Sequence, residues 1–126
     1  MARIGDFIDA VDPVSPDTLG AVVFDRFQAE PNTLAIAVVD ADRRPVGLIE
    51  RNAFTLKMAA EFGRALYARR PVTTLMDPNP PTADADASAE TLFAGVDAAE
   101  LNMLLRGFIV VKDGRYVGVK ARNAAQ

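Results

Sequence analysis

Residues 45–53 read PVGLIERNA and residues 116–124 read YVGVKARNA, so Val-Gly, three intervening residues and Arg-Asn-Ala occur twice, 71 positions apart. Each copy follows an apolar run, residues 34–39 in the first case and 108–111 in the second, and a polar turn. Short apolar runs on either side of a turn predict a β-hairpin with buried strands. The repeat therefore predicts two similar halves, each built around one hairpin.

Helix signals surround the first hairpin. The run Ser15-Pro16-Asp17-Thr18 is typical of a helix start, with a hydroxyl cap, a proline in the first turn and an acid near the positive end. The helix that it predicts presents an apolar face made of Leu19, Val22, Val23 and Phe27. A second helix, from about Asn52, carries an apolar side chain at every fourth position, and Gly63 is able to divide it. The members of this stripe, which we expect to face the core, are Phe54, Met58, Phe62 and Leu66.

The second half begins with a proline-rich segment, residues 77–81, which forbids helix and predicts an extended piece near Thr82. Ser88 is placed to cap a helix with the apolar residues Leu92, Phe93 and Val96. Only three residues follow Asn123, so we expect the last helix of this half to be missing or truncated and the chain to be part of a longer protein. The predicted fold class is α/β (α+β), with an N-terminal lead-in over residues 1–12, whose Ile4, Phe7 and Ile8 dock on the body, a first half over 13–70 and a second over 71–126.

Composition excludes several functions. A net charge of −3 and a pI near 4.9 argue against a nucleic-acid partner, because such domains carry a basic surface. The sequence has no Cys and no His, which removes disulfides, thiol chemistry and the commonest general base. The longest apolar run, residues 34–39, is too short to cross a bilayer, and the N-terminus lacks a signal-peptide core. We expect a cytoplasmic protein with no membrane insertion.

The doubled hairpin unit, closing each time on Val-Gly and an apolar residue, resembles the CBS domain, named after cystathionine β-synthase. Two copies resemble a tandem CBS pair, or Bateman module, over roughly residues 10–124. Residues 62–72, FGRALYARRPV, are similar to the linker of CBS pairs that precede bacterial signalling domains. The resemblance implies two halves about a pseudo-twofold axis with two clefts, many of which hold adenine nucleotides in this family. It also implies a non-catalytic regulatory module that forms a homodimer and controls an attached output domain.

The nucleotide-binding version of the family pattern reads Gly, two apolar residues, Thr or Ser, two residues of any kind, and Asp. In the frame that starts at Gly47, Glu50 replaces the hydroxyl and Ala53 replaces the Asp. In the frame that starts at Gly118, both places are Ala. Neither half keeps the ribose carboxylate, and Glu50 repels phosphate at short range. The resemblance thus implies no certain cofactor, with an adenine nucleotide or a related anionic ligand as the candidate.

The resemblance also indicates which residues border the clefts. The segment before each first helix and the first strand of each hairpin contribute, and so does the start of the following helix. Arg51 and Arg122, at that start, are placed to grip an anion with help from the helix dipole, or they are solvated charges. The candidate ligand-binding residues are Ser15, Val38, Glu50, Arg51, Thr82, Val110 and Arg122.

Two charged groups have competing interpretations. A basic concentration could bind an anionic ligand or an acidic face of the output domain, or form the solvated face of its helix; its members are Lys57, Arg64, Arg69 and Arg70. Asp84 and Asp86 suggest a metal site, but with no third ligand nearby they are better explained as loop and helix-start residues. We expect no metal.

Two other functions compete with the regulatory module. The lost motif carboxylates favour a ligand-free interaction module that only holds two copies together. A small enzyme would have to use groups such as Glu50 or Lys120, without any recognisable phosphate loop or nucleophile motif. We expect no catalytic residues.

Overall fold

The computed structural model describes residues 3–88, 90, 94, 97–98 and 107–121. Within them, short helices alternate with two β-hairpins. The helices are α1 (Gly20–Ala29), α2 (Arg51–Ala59) and α3 (Gly63–Tyr67), with short 3-10 helices at Ile4–Phe7 and Val72–Thr74. The strands are β1 (Ala35–Val39), β2 (Pro45–Glu50), β3 (Thr82–Asp84), β4 (Phe108–Lys112) and β5 (Arg115–Lys120).

The two hairpins repeat one register. In the first, Val38 of β1 lies opposite Gly47 of β2, and the pairing shifts immediately after Val38. In the second, Val110 of β4 lies opposite Gly118 of β5, and the pairing again shifts immediately after Val110. The sequence repeat therefore corresponds to a structural repeat that extends to a bulge at the same place in each hairpin.

Two further segments extend each hairpin. On the β1 edge, Val14 pairs in parallel with Val38, and on the β2 edge Asp77 pairs antiparallel with Leu48. The second hairpin has neighbours in the equivalent positions: β3 pairs in parallel with β4, and Asp9 pairs antiparallel with Val119 of β5. The chain thus passes from one sheet to the other twice, once between Asp9 and Val14 and once between Asp77 and β3. The two crossing segments are residues 8–13 and 75–80.

The sheets bury apolar side chains on both faces, which explains the continuous apolar runs. Alternate residues of the first hairpin, Ile36, Val38 and Ile49, pack against the helices, where Phe27 and Phe54 lie with ring centroids 5.4 Å apart. The opposite face of the first hairpin packs on the second sheet. This shared layer contains Ala35, Ala37, Val39, Leu48, Ile109, Tyr116 and Val119.

The predicted start of the first helix is wrong. Helix α1 begins at Gly20, with Leu19 as its N-cap residue and no side-chain cap. The Ser15 hydroxyl instead donates to the Asp17 carboxylate at 2.5 Å, the Thr18 carbonyl accepts from Val72, and Leu19 bridges to Pro71. Long-range pairing of this segment therefore replaces the local capping that the sequence suggested.

The predicted apolar stripe is also wrong in its C-terminal half. Phe54 and Met58 are buried. The helix ends after Ala59, however, and Phe62 adopts a left-handed conformation with φ of 63°. This turn redirects α3, so Phe62 is 71% exposed and Leu66 is 44% exposed. In α1, likewise, Val23 and Phe27 are buried, whereas Leu19 and Val22 are exposed.

The N-terminal segment docks as the sequence predicted, through Ile4 and Ile8 but not through Phe7. Ile4 is buried beside Phe108 and Val110, while Phe7 is exposed. The backbone amides of Ile4 and Gly5 donate to carbonyls of Ala87 and Ala85, both at 2.9 Å. The lead-in therefore packs on the second half, whose predicted helix with Leu92, Phe93 and Val96 lies outside the described residues.

Candidate functional site

A cleft of about 250 Å³ lies where the two halves meet. The first half supplies Leu48 and Glu50 from β2, and Ala53 and Lys57 from α2. Its floor and far side come from the crossing segment and from the second half, through Leu75, Met76, Asp77, Pro81 and Gly107. Sites for drug-sized ligands occupy roughly 300–1,000 Å³, so this cleft suits a compact ligand or one end of a longer one.

Glu50 is the most informative residue of the cleft. It ends β2 and is the N-cap residue of α2, but its side chain makes no capping hydrogen bond. Within the described part of the chain its carboxylate has no hydrogen-bond or ion-pair partner. A half-buried carboxylate at the positive end of a helix is favourably placed, and here it is left available to a ligand.

Two more charges line the cleft. The Lys57 ammonium donates to the Leu75 carbonyl at 3.3 Å, which holds it against the crossing segment. The Asp77 carboxylate accepts from the Asn79 amide at 2.9 Å, while the Asp77 backbone exchanges two hydrogen bonds with Leu48, at 2.8 and 3.0 Å. The backbone hydrogen bonds between Leu48 and Asp77 therefore hold one wall of the cleft in place. The described residues of the cleft carry two carboxylates and one ammonium.

The repeated glycines serve packing. A Cβ on Gly47 would lie 2.2 Å from the Met76 sulfur, and one on Gly118 would lie 2.8 Å from Ile8 and 2.9 Å from the Asp9 carbonyl. Both glycines lie directly beneath a crossing segment, which needs this close approach. The Val-Gly part of the repeat is thus explained by the two crossings of the chain.

Arg51 has a role that neither sequence interpretation described. Its guanidinium donates to the carbonyls of Phe27 at 2.9 Å, Glu30 at 2.5 Å and Thr33 at 2.7 Å, and stacks 4.6 Å from the Phe27 ring centroid. These carbonyls lie at and just beyond the end of α1, where a helix leaves backbone acceptors without partners. Arg51 is therefore not a solvated charge, because it fixes the end of α1; its role toward an anion stays a prediction. Its repeat partner Arg122 lies outside the described residues.

The other candidate residues are dispersed. Val38 and Val110 are fully buried mid-strand, paired on both sides. Thr82 is exposed on β3, next to the cleft residue Pro81. Ser15 lines a separate, wider groove with Asp40 and Arg43 and donates to Asp17. Of the described candidates, the cleft brings together Glu50 and the chain immediately before Thr82.

Three of the remaining charged residues, Asp84, Asp86 and Arg64, contact other side chains or the backbone, whereas Arg69 and Arg70 are exposed. Asp86 pairs with Arg3 at 3.5 Å and with Lys112 at 3.9 Å, and Asp84 accepts from the Asp86 amide at 2.8 Å. The Arg64 guanidinium lies 4.5 Å from the Phe24 ring centroid. Among the residues described, no three acidic side chains gather into a possible metal site, and no helix is long and apolar enough to span a bilayer.

Comparison with solved structures identifies the fold. CBSX2, a CBS-pair protein from Arabidopsis thaliana solved with AMP, superposes with a TM-score of 0.73 at 20% identity, covering 97% of this chain and 91% of that one. The CBS domain pair of MJ0100, solved with 5′-methylthioadenosine and S-adenosyl-L-methionine, gives 0.69 at 16% identity, covering 95% and 89%. A CBS-domain protein from Agrobacterium tumefaciens gives 0.69 at 20% identity, covering 93% and 85%.

These neighbours show the class of fold, two CBS motifs in tandem. The chain therefore has the fold of a tandem CBS domain pair, and the predicted α/β (α+β) class with two hairpin-based halves is confirmed. No family model matches the sequence, and no curated protein matches it.

Sequence reasoning missed the crossing segments, which supply three cleft residues: Leu75, Met76 and Asp77. A signal for them does exist. Asp9 and Asp77 are each followed four residues later by a proline, Pro13 or Pro81, immediately before the strand segment that joins the other sheet. This spacing, set against the repeated hairpins, marks both crossings.

Proposed function

We propose that the chain is a non-catalytic regulatory module that binds a small adenosyl-type ligand in the cleft beside Glu50. The observation that carries this proposal is the cleft itself. It contains Glu50 and Ala53, two positions of the family's nucleotide-binding frame, and it is completed by Pro81 and Gly107 from the other half. A ligand there contacts both halves at once and so changes how they are held together.

The solved neighbours support an adenosyl ligand. CBSX2 was solved with AMP, and the domain pair of MJ0100 with two adenosyl compounds. The missing ribose carboxylate at Ala53 predicts weaker binding than in a chain with Asp there. No catalytic role is proposed for the cleft, because its Glu50, Lys57 and Asp77 are not joined to one another by any described hydrogen bond.

A thermal-shift panel tests this proposal. It should contain AMP, ADP, ATP, S-adenosylmethionine, 5′-methylthioadenosine and cyclic dinucleotides. A ligand at 100 times its Kd stabilises the folded state by about 2.7 kcal/mol, which raises the Tm by several degrees. No shift with any compound would remove the ligand from the proposal.

A steric block makes the panel specific for the cleft. Ala53 is exposed and lines the cleft, so Ala53→Trp should fill the cleft and abolish the shift while the protein remains folded. Ala59, at the exposed end of the same helix, is not among the cleft residues, so Ala59→Trp is the matched control and should keep the shift. Equal shifts in both variants would place the ligand elsewhere.

We also propose that the module forms a homodimer and, in a longer protein, controls an output domain. Leu56 and Phe62, in α2 and the turn after it, are 72% and 71% exposed. Large apolar side chains exposed this far favour a surface that a second copy of the chain covers. Light scattering after size exclusion should give a dimer for the native chain and a monomer for Leu56→Glu. Thr55→Glu, the same charge at the neighbouring exposed position, is the control. A native monomer at high concentration would contradict the proposed dimer.

The alternative is a ligand-free interaction module. Two findings favour it: the frame position for the ribose carboxylate is Ala53, and Arg51 is used inside the protein. A dimer in light scattering together with a flat thermal-shift panel would select this alternative.

A further inference from the structure

The charge of the cleft indicates which ligands it can hold. Glu50 and Asp77 bring two carboxylates, and Lys57 brings one ammonium, whose described hydrogen bond goes to the Leu75 carbonyl. The other described residues of the cleft are uncharged: Leu48, Ala53, Leu75, Met76, Pro81 and Gly107. The part of the cleft wall that the structure describes thus carries a net negative charge.

Glu50 also occupies the place where a phosphate would be stabilised best. The amino-terminal end of α2 carries a partial positive charge, which attracts anions. The Glu50 carboxylate already lies at that end, and the backbone amide of Arg51 donates to the Leu34 carbonyl at 2.9 Å. The Arg51 guanidinium, the nearest cation in sequence, is held by three carbonyls away from this role. A phosphate group would therefore meet a carboxylate where it needs a donor.

We propose that Glu50 is the specificity-determining residue of the cleft and that it selects a ligand carrying a positive charge over one carrying a phosphate. The unpaired carboxylate gains a charged partner from a cationic ligand and repels an anionic one. The inference rests on the proposed function for the adenosyl part of the ligand, but the preference for positive charge comes from the residues of the cleft alone.

Three compounds that share adenosine and differ in the group at the 5′ carbon separate these two parts. S-adenosylmethionine carries a sulfonium cation together with an amino-acid group whose ammonium and carboxylate cancel, 5′-methylthioadenosine a neutral thioether and AMP a phosphate. Calorimetric titration of the native chain at low salt should rank them in that order. We expect S-adenosylmethionine to bind at least about tenfold more tightly than AMP, because one charge contact changes sign between them.

Substitution at Glu50 tests the cause of the ranking. Glu50→Gln keeps the size of the side chain and removes its charge. It should therefore weaken the binding of S-adenosylmethionine by about tenfold and leave the Kd of 5′-methylthioadenosine within about twofold of its native value. Glu50→Thr should strengthen the binding of AMP. Glu61 is exposed in the turn between α2 and α3, outside the cleft, so Glu61→Gln is the matched control and should preserve the native ranking. Thermal unfolding of each variant establishes that it is folded.

Each outcome has one meaning. AMP binding as tightly as S-adenosylmethionine, or a ranking unchanged in Glu50→Gln, overturns the role of Glu50 while the proposed adenosyl function stands. Failure of all three compounds to bind the native chain and Glu50→Thr overturns both the inference and the ligand part of the proposed function. Binding of 5′-methylthioadenosine alone supports the function and contradicts the preference for positive charge.

Discussion

The two halves of the chain share one sheet plan but differ at the residue immediately before the repeated Arg-Asn-Ala. Gly47 and Gly118 occupy the same place in the register and make the same close approach to a crossing segment. Three residues later the halves diverge, because Glu50 stands in one and Ala121 in the other. The repeat is therefore kept where the chain must pack closely, and the carboxylate that Glu50 brings to the cleft has no counterpart in the second half.

The shared layer between the sheets should give the largest effect on stability. Ile36 faces the helices of the first half, whereas Ile109 lies between the two sheets, and both are fully buried. Ile36→Ala and Ile109→Ala should each lower the free energy of unfolding by about 2–5 kcal/mol in urea titrations. A cost below about 1 kcal/mol for Ile109→Ala would mean that the sheets do not share a core.

Arg51 should give the next largest effect. Arg51→Ala removes the partner of three carbonyls at the end of α1, and hydrogen bonds to a charged group contribute about 1.5–3 kcal/mol each at most. We expect a total loss of about 2–3 kcal/mol in chemical denaturation, and a smaller loss for Arg51→Lys. Arg69, which is exposed, is the control, and Arg69→Ala should cost under about 0.5 kcal/mol. Equal costs for the two alanine variants would restore the interpretation of Arg51 as a solvated charge.

Substitution of the two repeat glycines tests the packing of each crossing segment individually. Gly118→Ala forces a Cβ against the Asp9 carbonyl, which is backbone, while the nearest atoms to Gly47→Ala belong to the flexible Met76 side chain. Gly118→Ala should therefore cost about 1–3 kcal/mol and Gly47→Ala less. Thermal melts of the two variants, measured side by side, compare the crossings directly. A larger cost at Gly47 would contradict the packing described for the N-terminal segment.

Tyr116 joins the second hairpin to the chain between Asp9 and Val14 and predicts a pH dependence. Its hydroxyl donates to the Val11 carbonyl at 2.5 Å, and burial raises the pKa of Tyr116 to about 12 from its usual 10. The folded state therefore favours the protonated phenol. This contribution is complete below pH 10 and is lost as the pH rises from about 10 to about 12. Tyr116→Phe should lose less stability than the native chain over this range, and parallel slopes would contradict the assignment.

Local sequence signals predicted the elements that depend on neighbouring residues. The hairpins followed from apolar runs on either side of a polar turn, and in the second turn Asp113 and Gly114 adopt φ of 54° and 78°. The break near Gly63 and the extended segment at Thr82 were predicted for similar local reasons. The start of α1 was not, because residues 18–19 pair with residues 71–72, more than fifty positions away.

The site could be predicted only in part for the same reason. The family frame indicated Glu50 and Ala53, which lie in the cleft. The cleft residues Lys57, Asp77 and Gly107 depend on where the crossing segment and the second hairpin meet α2, and no local pattern specifies that meeting. The role of Arg51 likewise depends on carbonyls 18 to 24 positions away.

Mapping of amide resonances by NMR tests most directly whether the cleft between the halves binds an adenosyl ligand. The isotopically labelled chain would be titrated with S-adenosylmethionine and the backbone amide shifts followed. If the ligand binds in the cleft, we expect saturable shifts of the amide resonances that concentrate in both halves, at Leu48, Ala53, Lys57, Asp77 and Gly107. Shifts confined to the other groove, around Ser15 and Ala41, or no saturable shifts at all, would contradict it.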